Sequence, residues 1–274
     1  MSTAETAPHA SSATPTPAEM IEKTITALEI KAKTADASPL KTFLLALPGG
    51  GLIAFGFALY INTQLGGENM PSGVLKLLCA MTFSVGLMMV VMTGAELFTS
   101  TTMTLAARAS GVISWVQLLK HWALSYTGNL VGAALVVALC YWGGLQERSS
   151  GAWGQLVTTA ATTKVSYPWG QAFALGIGAN FLVCTAVFMT FAGRSTVDKI
   201  IAVIGPITAF VALGFEHSIA NMFLLPYGVI IGTEPTLTWG AVILSNLIPV
   251  TLGNIVGGGL CVGLFHWLTQ QKLR

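Results

Sequence analysis

The chain has 274 residues, of which 53 % are apolar and only 9 % charged, with a formal net charge of +2 and a mean hydropathy of +0.71. A soluble domain carries about 25 % charged residues, so this composition excludes an ordinary soluble fold. So small a net charge also leaves no electrostatic footprint for a nucleic-acid partner.

Residues 1–18 are small, polar and proline-containing, which predicts a disordered tail. They carry no basic start leading into an apolar core, so they are not read as a signal peptide. Residues 19–38 place Ile21, Ile25 and Leu28 on one face at helical spacing. That predicts an amphipathic cytoplasmic helix lying along the membrane face, and a plain surface helix fits the same pattern. From 39 to 270 follows an expected channel domain. Apolar runs long enough to cross a bilayer, which takes about 20 residues, recur six times: near 42–62, 73–107, 113–142, 168–192, 197–232 and 238–268. The second run is interrupted near 96–103 and the fifth near 213–218.

Two stretches of this domain nearly repeat: Tyr126–Leu135, YTGNLVGAAL, and Thr251–Leu260, TLGNIVGGGL. Each follows an acid in a glycine-broken apolar segment, with Glu96 33 residues before Asn129 and Glu216 38 residues before Asn254. A unit of three spans used twice must sit upside down in its second copy, because three is odd. Such inverted repeats with broken helices are the best sequence pointer to a transport site at the repeat interface. The fold class expected is therefore an all-α membrane protein of six helices in two inverted three-helix repeats, with the second and fifth helices broken. Ten Lys and Arg fall on the side of the termini (Lys23, Lys31, Lys33, Lys41, Arg108, Lys120, Arg194, Lys199, Lys272, Arg274) and three on the other (Lys76, Arg148, Lys164). The positive-inside rule then puts both termini in the cytoplasm of a multi-pass protein of the inner (plasma) membrane.

The chemistry is expected at the interruptions, Gly94–Thr102 and Leu213–Ser218, because irregular backbone at membrane depth must be buried in protein or line a cavity. Thr99, Ser100 and Ser218 are natural N-caps for restarting half-helices, whose free N–H groups favour an anion. Glu96 and Glu216 are expected to accept hydrogen bonds from those amides, stapling the loops, with proton transfer as the other reading. His217 is an ionisable group deep in a span and a functional candidate by that placement. His121 and His266 lie nearer span ends and read as ordinary core histidines. The four cysteines have no metal-ligand spacing and read as small buried hydrophobes. No catalytic residue, metal or cofactor is expected. An aquaporin-type channel for neutral solutes is the rival of a different class, but the chain lacks the two Asn-Pro-Ala boxes that channel needs. An intramembrane hydrolase is disfavoured because Ser218 adjoins His217 and no Gly-x-Ser-x-Gly turn exists.

The segments Pro39–Phe43, Gly94–Thr99, Gly128–Gly132, Gly193–Ser195, Gly214–Met222 and Pro249–Asn254 resemble the formate/nitrite transporter family, above all its formate-channel branch. The likeness runs from about Lys31 to Trp267, and the string GFEHSIANM is its most specific part. The resemblance implies an aquaporin-like six-span protomer and a homopentamer with one pore per protomer. It further implies conduction of formate or similar small anions, with nitrite or hydrosulfide as alternatives. It makes His217 the single protonatable pore residue, with Thr99 within its reach. Leu87 and Leu97 would form the apolar constriction on the cytoplasmic side, and Phe83 and Phe210 the periplasmic one. Lys31 and Lys164 would make the vestibules positive, with Lys33 the competitor of Lys31, and Asn180 and Asn254 would face the pore.

Overall fold

The computed structural model describes residues 14–232 and 234–273, which are helical and contain no strand. Most of the expected tail, residues 1–13, lies outside them. Helix α1, Pro17–Ala37, opens with a capping box in which Thr16 Oγ1 accepts from the Glu19 amide and Glu19 accepts from the Thr16 amide. Its apolar stripe is turned onto the chain's own helices rather than toward lipid: Ile21, Ile25 and Leu28 are buried in one cluster with Met103, Leu118, Phe188 and Val262.

Among the described residues five helices are long and apolar enough to cross a membrane: α2 (Pro39–Gln64), α3 (Ser72–Thr93), α6 (Trp115–Trp142), α8 (Trp169–Thr190) and α11 (Trp239–Lys272). The second apolar run does not continue as one helix. After α3 the backbone turns at Gly94, with φ of 71°, and resumes as the short α4 (Phe98–Thr101) and α5 (Thr104–Ala109). The fifth run behaves alike. Helix α9 (Thr196–Ala212) is followed by Gly214 at φ 73° and then by α10 (Ser218–Ile231). Only glycine adopts that left-handed backbone without strain, so both turns are written into the chain. Helix α11 contains π-helical stretches at Val242–Leu247 and Val256–Leu264, where the i→i−4 ladder slips by one residue.

Helix α7, Ala152–Val165, lies between the third and fourth apolar runs. Its run of Thr and Ala is too short and too polar to register as a span. It is held by Trp153, buried with its ring 5.5 Å from that of Tyr227 on α10.

Glycines set how closely the long helices approach. A Cβ on Gly50 would overlap the Asn129 backbone and one on Gly132 would overlap the Leu47 carbonyl, locking α2 against α6. Gly253 and Gly257 do the same for α11 against the Phe173 and Ile177 carbonyls of α8. Much of the outer surface stays apolar, with Leu40, Val116, Leu135, Trp142, Ile201, Leu244 and Phe265 all exposed. So wide an apolar exterior marks a surface that meets lipid or other subunits, not water.

Candidate functional site

The two interruptions are caged alike. Asn129 donates to the carbonyls of Ala46 and Glu96, both at 2.8 Å, and its Oδ1 accepts the Phe98 amide at 2.8 Å. Asn254 donates to the carbonyls of Gly176 at 2.8 Å and Glu216 at 2.9 Å, and accepts the Ser218 amide at 2.9 Å. Even the backbone matches: the Glu96 amide donates to Leu45 and the Glu216 amide to Leu175. Buried peptide groups left without partners cost about 1–3 kcal/mol each, so these asparagines are what makes irregular backbone tolerable here. They were legible as repeated residues, but not as the caps. The expected cap hydroxyls do other work. Ser100 bonds back to the Leu97 carbonyl, Thr99 bonds to His217, and Ser218 Oγ finds no partner among the described residues. Asn254 thus has its whole amide engaged within the protein.

His217 is the N-cap of α10. Its Nδ1 accepts the Ala220 amide at 3.1 Å, and its Nε2 lies 2.9 Å from Thr99 Oγ1. An imidazole nitrogen that accepts an N–H carries no proton, so the hydrogen sits on Nε2 and is donated to Thr99. The Thr99 hydroxyl hydrogen then remains free to donate elsewhere. The pair ties the two interruptions together at their centre, and both residues are buried. Asn180, on α8, braces the same spot by donating to the Thr99 carbonyl and Thr102 Oγ1 at 3.0 Å and to the Asn254 carbonyl.

Next to His217 lies a cavity of about 80 Å³, lined by Phe57, Phe83, Lys164, Phe210 and Asn221 among others. A water needs at least about 10–15 Å³ by this kind of measure, so the space takes several water-sized groups. Phe83 and Phe210 meet edge to face across it, with ring centroids 5.7 Å apart, and Phe210 stacks 5.9 Å from the His217 ring. Leu87 and Leu97 are both buried in the central core cluster, away from the cavity wall.

The sequence predicts the two glutamates accepting the amides of the restarting helices; those amides go to Asn129 and Asn254. Each glutamate is buried and faces a lysine instead. Glu96 Oε1 lies 3.2 Å from Lys31 Nζ, and its Oε2 lies 3.3 Å from His121 Nε2. Glu216 Oε1 pairs with Lys164, while its Oε2 accepts from Asn221 at 2.7 Å and Asn246 at 3.2 Å. Of the two lysines of α1, Lys31 reaches the interruption and Lys33 pairs with Glu29 on its own helix. His121, read from the sequence as an ordinary core residue, is fully buried beside an acid. Among the described residues no group of His, Cys, Asp and Glu is placed to hold a metal ion.

A bundle of long apolar helices, interrupted twice around a buried His–Thr pair, belongs to the membrane transport proteins. A sequence model described as formate/nitrite transporter matches residues 18–268. The formate channel FocA of Escherichia coli (strain K12) is 45 % identical over 254 residues, covering 87 % of this chain and 89 % of that one. FocA of Haemophilus influenzae is 40 % identical, covering 86 % and 89 %. A solved structure, a pentameric formate channel with formate bound, superimposes with a TM-score of 0.81 at 41 % identity, covering 88 % of this chain and all of that one. The chain belongs to the formate/nitrite transporter family, and it is a multi-pass membrane protein.

Proposed function

We propose that this protein is a formate channel, passing formate and similar small monovalent anions through a pore in each protomer of a homopentamer. The observation that carries the reading is the buried Thr99–His217 pair, which joins the two helix interruptions beside an aromatic-walled cavity. The likeness to channels named for formate, one of them pentameric with formate bound, supports it.

In this reading the chain forms two inverted three-helix repeats. α2, α3 with α4 and α5, and α6 make the first; α8, α9 with α10, and α11 make the second. The matched cages of Asn129 and Asn254 support that pairing. Both termini are cytoplasmic in an inner-membrane protein, which the ten-to-three bias of basic residues supports. Phe83 and Phe210 form the periplasmic constriction, Leu87 and Leu97 the cytoplasmic one, and Lys31 and Lys164 stand at the two mouths. Asn180 and Asn254 hold the backbone between them.

An anion crossing apolar rings meets a barrier of about 3 kcal/mol or more. At the centre it finds one donor already oriented, the Thr99 hydroxyl, held in place by the His217 Nε2–H that it accepts, which replaces part of its hydration. Because Nδ1 is occupied by the Ala220 amide, the neutral imidazole is a hydrogen-bond donor in this arrangement. To hand over a proton the ring must first take one at Nδ1, which requires the first turn of α10 to release it. Proton-coupled transport is therefore tied to a local rearrangement at Ser218–Ala220.

The test is uptake by vesicles reconstituted with the purified protein, comparing formate, nitrite, lactate and hydrosulfide side by side. Fastest uptake of formate is expected. Uptake of nitrite or hydrosulfide well ahead of formate would overturn the substrate assignment.

A further inference from the structure

The helix that carries Thr99 stops after four residues, whereas the helix that His217 caps runs for 14. At the end of α4 the Met103 amide turns to the Ser100 carbonyl, and the Leu105 amide to that of Thr102. The backbone thereby leaves the carbonyls of Thr99 and Thr101 to other donors. Side chains of two neighbouring helices supply them. From α8, Asn180 and the Cys184 thiol donate to the Thr99 carbonyl, at 3.0 and 3.3 Å. From α6, the Trp122 indole N–H donates to the Thr101 carbonyl at 2.9 Å. The hydroxyls of Thr102 and Thr104 add to the same two carbonyls.

We propose that Trp122 and Cys184 are positioning residues for the anion, which clamp α4 between α6 and α8 and so hold the Thr99 hydroxyl against His217. A single helical turn forms too few bonds of its own to stay in place. The direction of the Thr99 side chain is therefore set by what grips the turn on either side. Trp122 grips it twice, because its ring also meets Phe98 edge to face, with centroids 6.3 Å apart. Tyr126 packs on the same Phe98 ring at 4.9 Å. Cys184 is wholly buried, and its sulfur also lies 3.7 Å from Thr102 Oγ1, at the point where α4 ends.

The clamp belongs to one interruption only. Leu175 stands 130 residues after Leu45, and their carbonyls serve the Glu216 and Glu96 amides alike. By that offset Asn180 and Cys184 answer to Gly50 and Ala54, which have no side-chain donor. On α11, Gly258 stands 125 residues after Ala133, the same offset that separates Asn254 from Asn129. A Cβ at Gly258 would overlap Thr102 Oγ1, Asn180 Nδ2 and Cys184 Sγ, so the glycine makes room for the clamp. Helix α10 needs no such donors, because its own ladder continues past the first turn.

This inference rests on the channel reading, and its test separates the two. Trp122→Phe keeps a ring against Phe98 and removes the N–H; Cys184→Ala removes the thiol, and Cys184→Ser keeps a donor. In the detergent-purified protein, amide hydrogen exchange over Phe98–Thr104 is expected to quicken about two- to tenfold in Trp122→Phe, the worth of one hydrogen bond. About twofold is expected in Cys184→Ala, because a thiol is a weak donor. Cys184→Ser is expected to exchange like wild type, and Ser218–Ile231 to be unchanged in all three. Wild-type exchange over Phe98–Thr104 in Trp122→Phe or in Cys184→Ala overturns the proposal, as does equal quickening over Ser218–Ile231. In vesicles, the same two variants are expected to raise the half-saturating formate concentration by similar factors, with maximal flux kept. A merely structural role lowers maximal flux at unchanged half-saturation, and that result also overturns the proposal. If wild type carries no formate while the exchange responds as stated, the channel reading fails and the clamp stands.

Discussion

The two helix interruptions are close copies in their backbone and different in their chemistry. Around Gly94–Leu97 and around Gly214–His217 the same scaffold recurs: a left-handed glycine, an asparagine holding three peptide groups, a buried glutamate and a lysine upon it. What differs is the residue just after the glutamate. In the first copy it is Leu97, fully buried and apolar; in the second it is His217, which caps α10 and meets Thr99. The two interruptions share what their irregular backbone requires and differ in the side chain at this one position.

The sharpest way to break this comparison is at the divergent position. His217→Phe is expected to reduce formate flux in vesicles to background while the assembly size on gel filtration is unchanged. Wild-type uptake by this variant from pH 5 to 8 would remove the histidine from the pathway. At the shared positions the expected effects are on stability and should be equal. Asn129→Leu and Asn254→Leu each strand the same three peptide groups, and each is expected to destabilise the detergent-purified protein by roughly 3–5 kcal/mol. A thermal-unfolding shift in one variant alone would show that the two cages are not mates.

Smaller effects distinguish the two lysines. Lys164 is 17 % exposed over a glutamate that is 1 % exposed, so Lys164→Gln leaves a buried charge unpaired. A loss of about 2–3 kcal/mol is expected, largely restored by adding Glu216→Gln. Lys31 is 35 % exposed and solvent screens it, so Lys31→Gln should cost about 1 kcal/mol or less. Unfolding of the three variants side by side checks the order, and equal losses for Lys31 and Lys164 would mean that burial is not what separates them.

Much of this was legible because membrane helices and repeats leave strong patterns. The apolar runs located the long helices, the matched decapeptides located Asn129 and Asn254, and the glycine-flanked acids located both interruptions. Helix α7 was lost because its threonines and short length give no periodic apolar signal. The restarting helices were assigned hydroxyl caps on local grounds, but the caps came from asparagines 31 and 36 residues away in sequence. His121 looked ordinary for the same reason: the acid that it meets is 25 residues earlier, on another element.

The sequence by itself determined the class of the protein, the places where its helices stop and the kind of residue at each break. Those properties depend on composition, hydropathy and glycine's access to positive φ, all of which are local. Which lysine serves which glutamate, which nitrogen of His217 bears the hydrogen, and that Thr99 is its partner were decided only by the tertiary structure. These contacts join residues up to 118 positions apart. They exist because buried polar groups must be satisfied by whatever the packing of helices brings within about 3 Å.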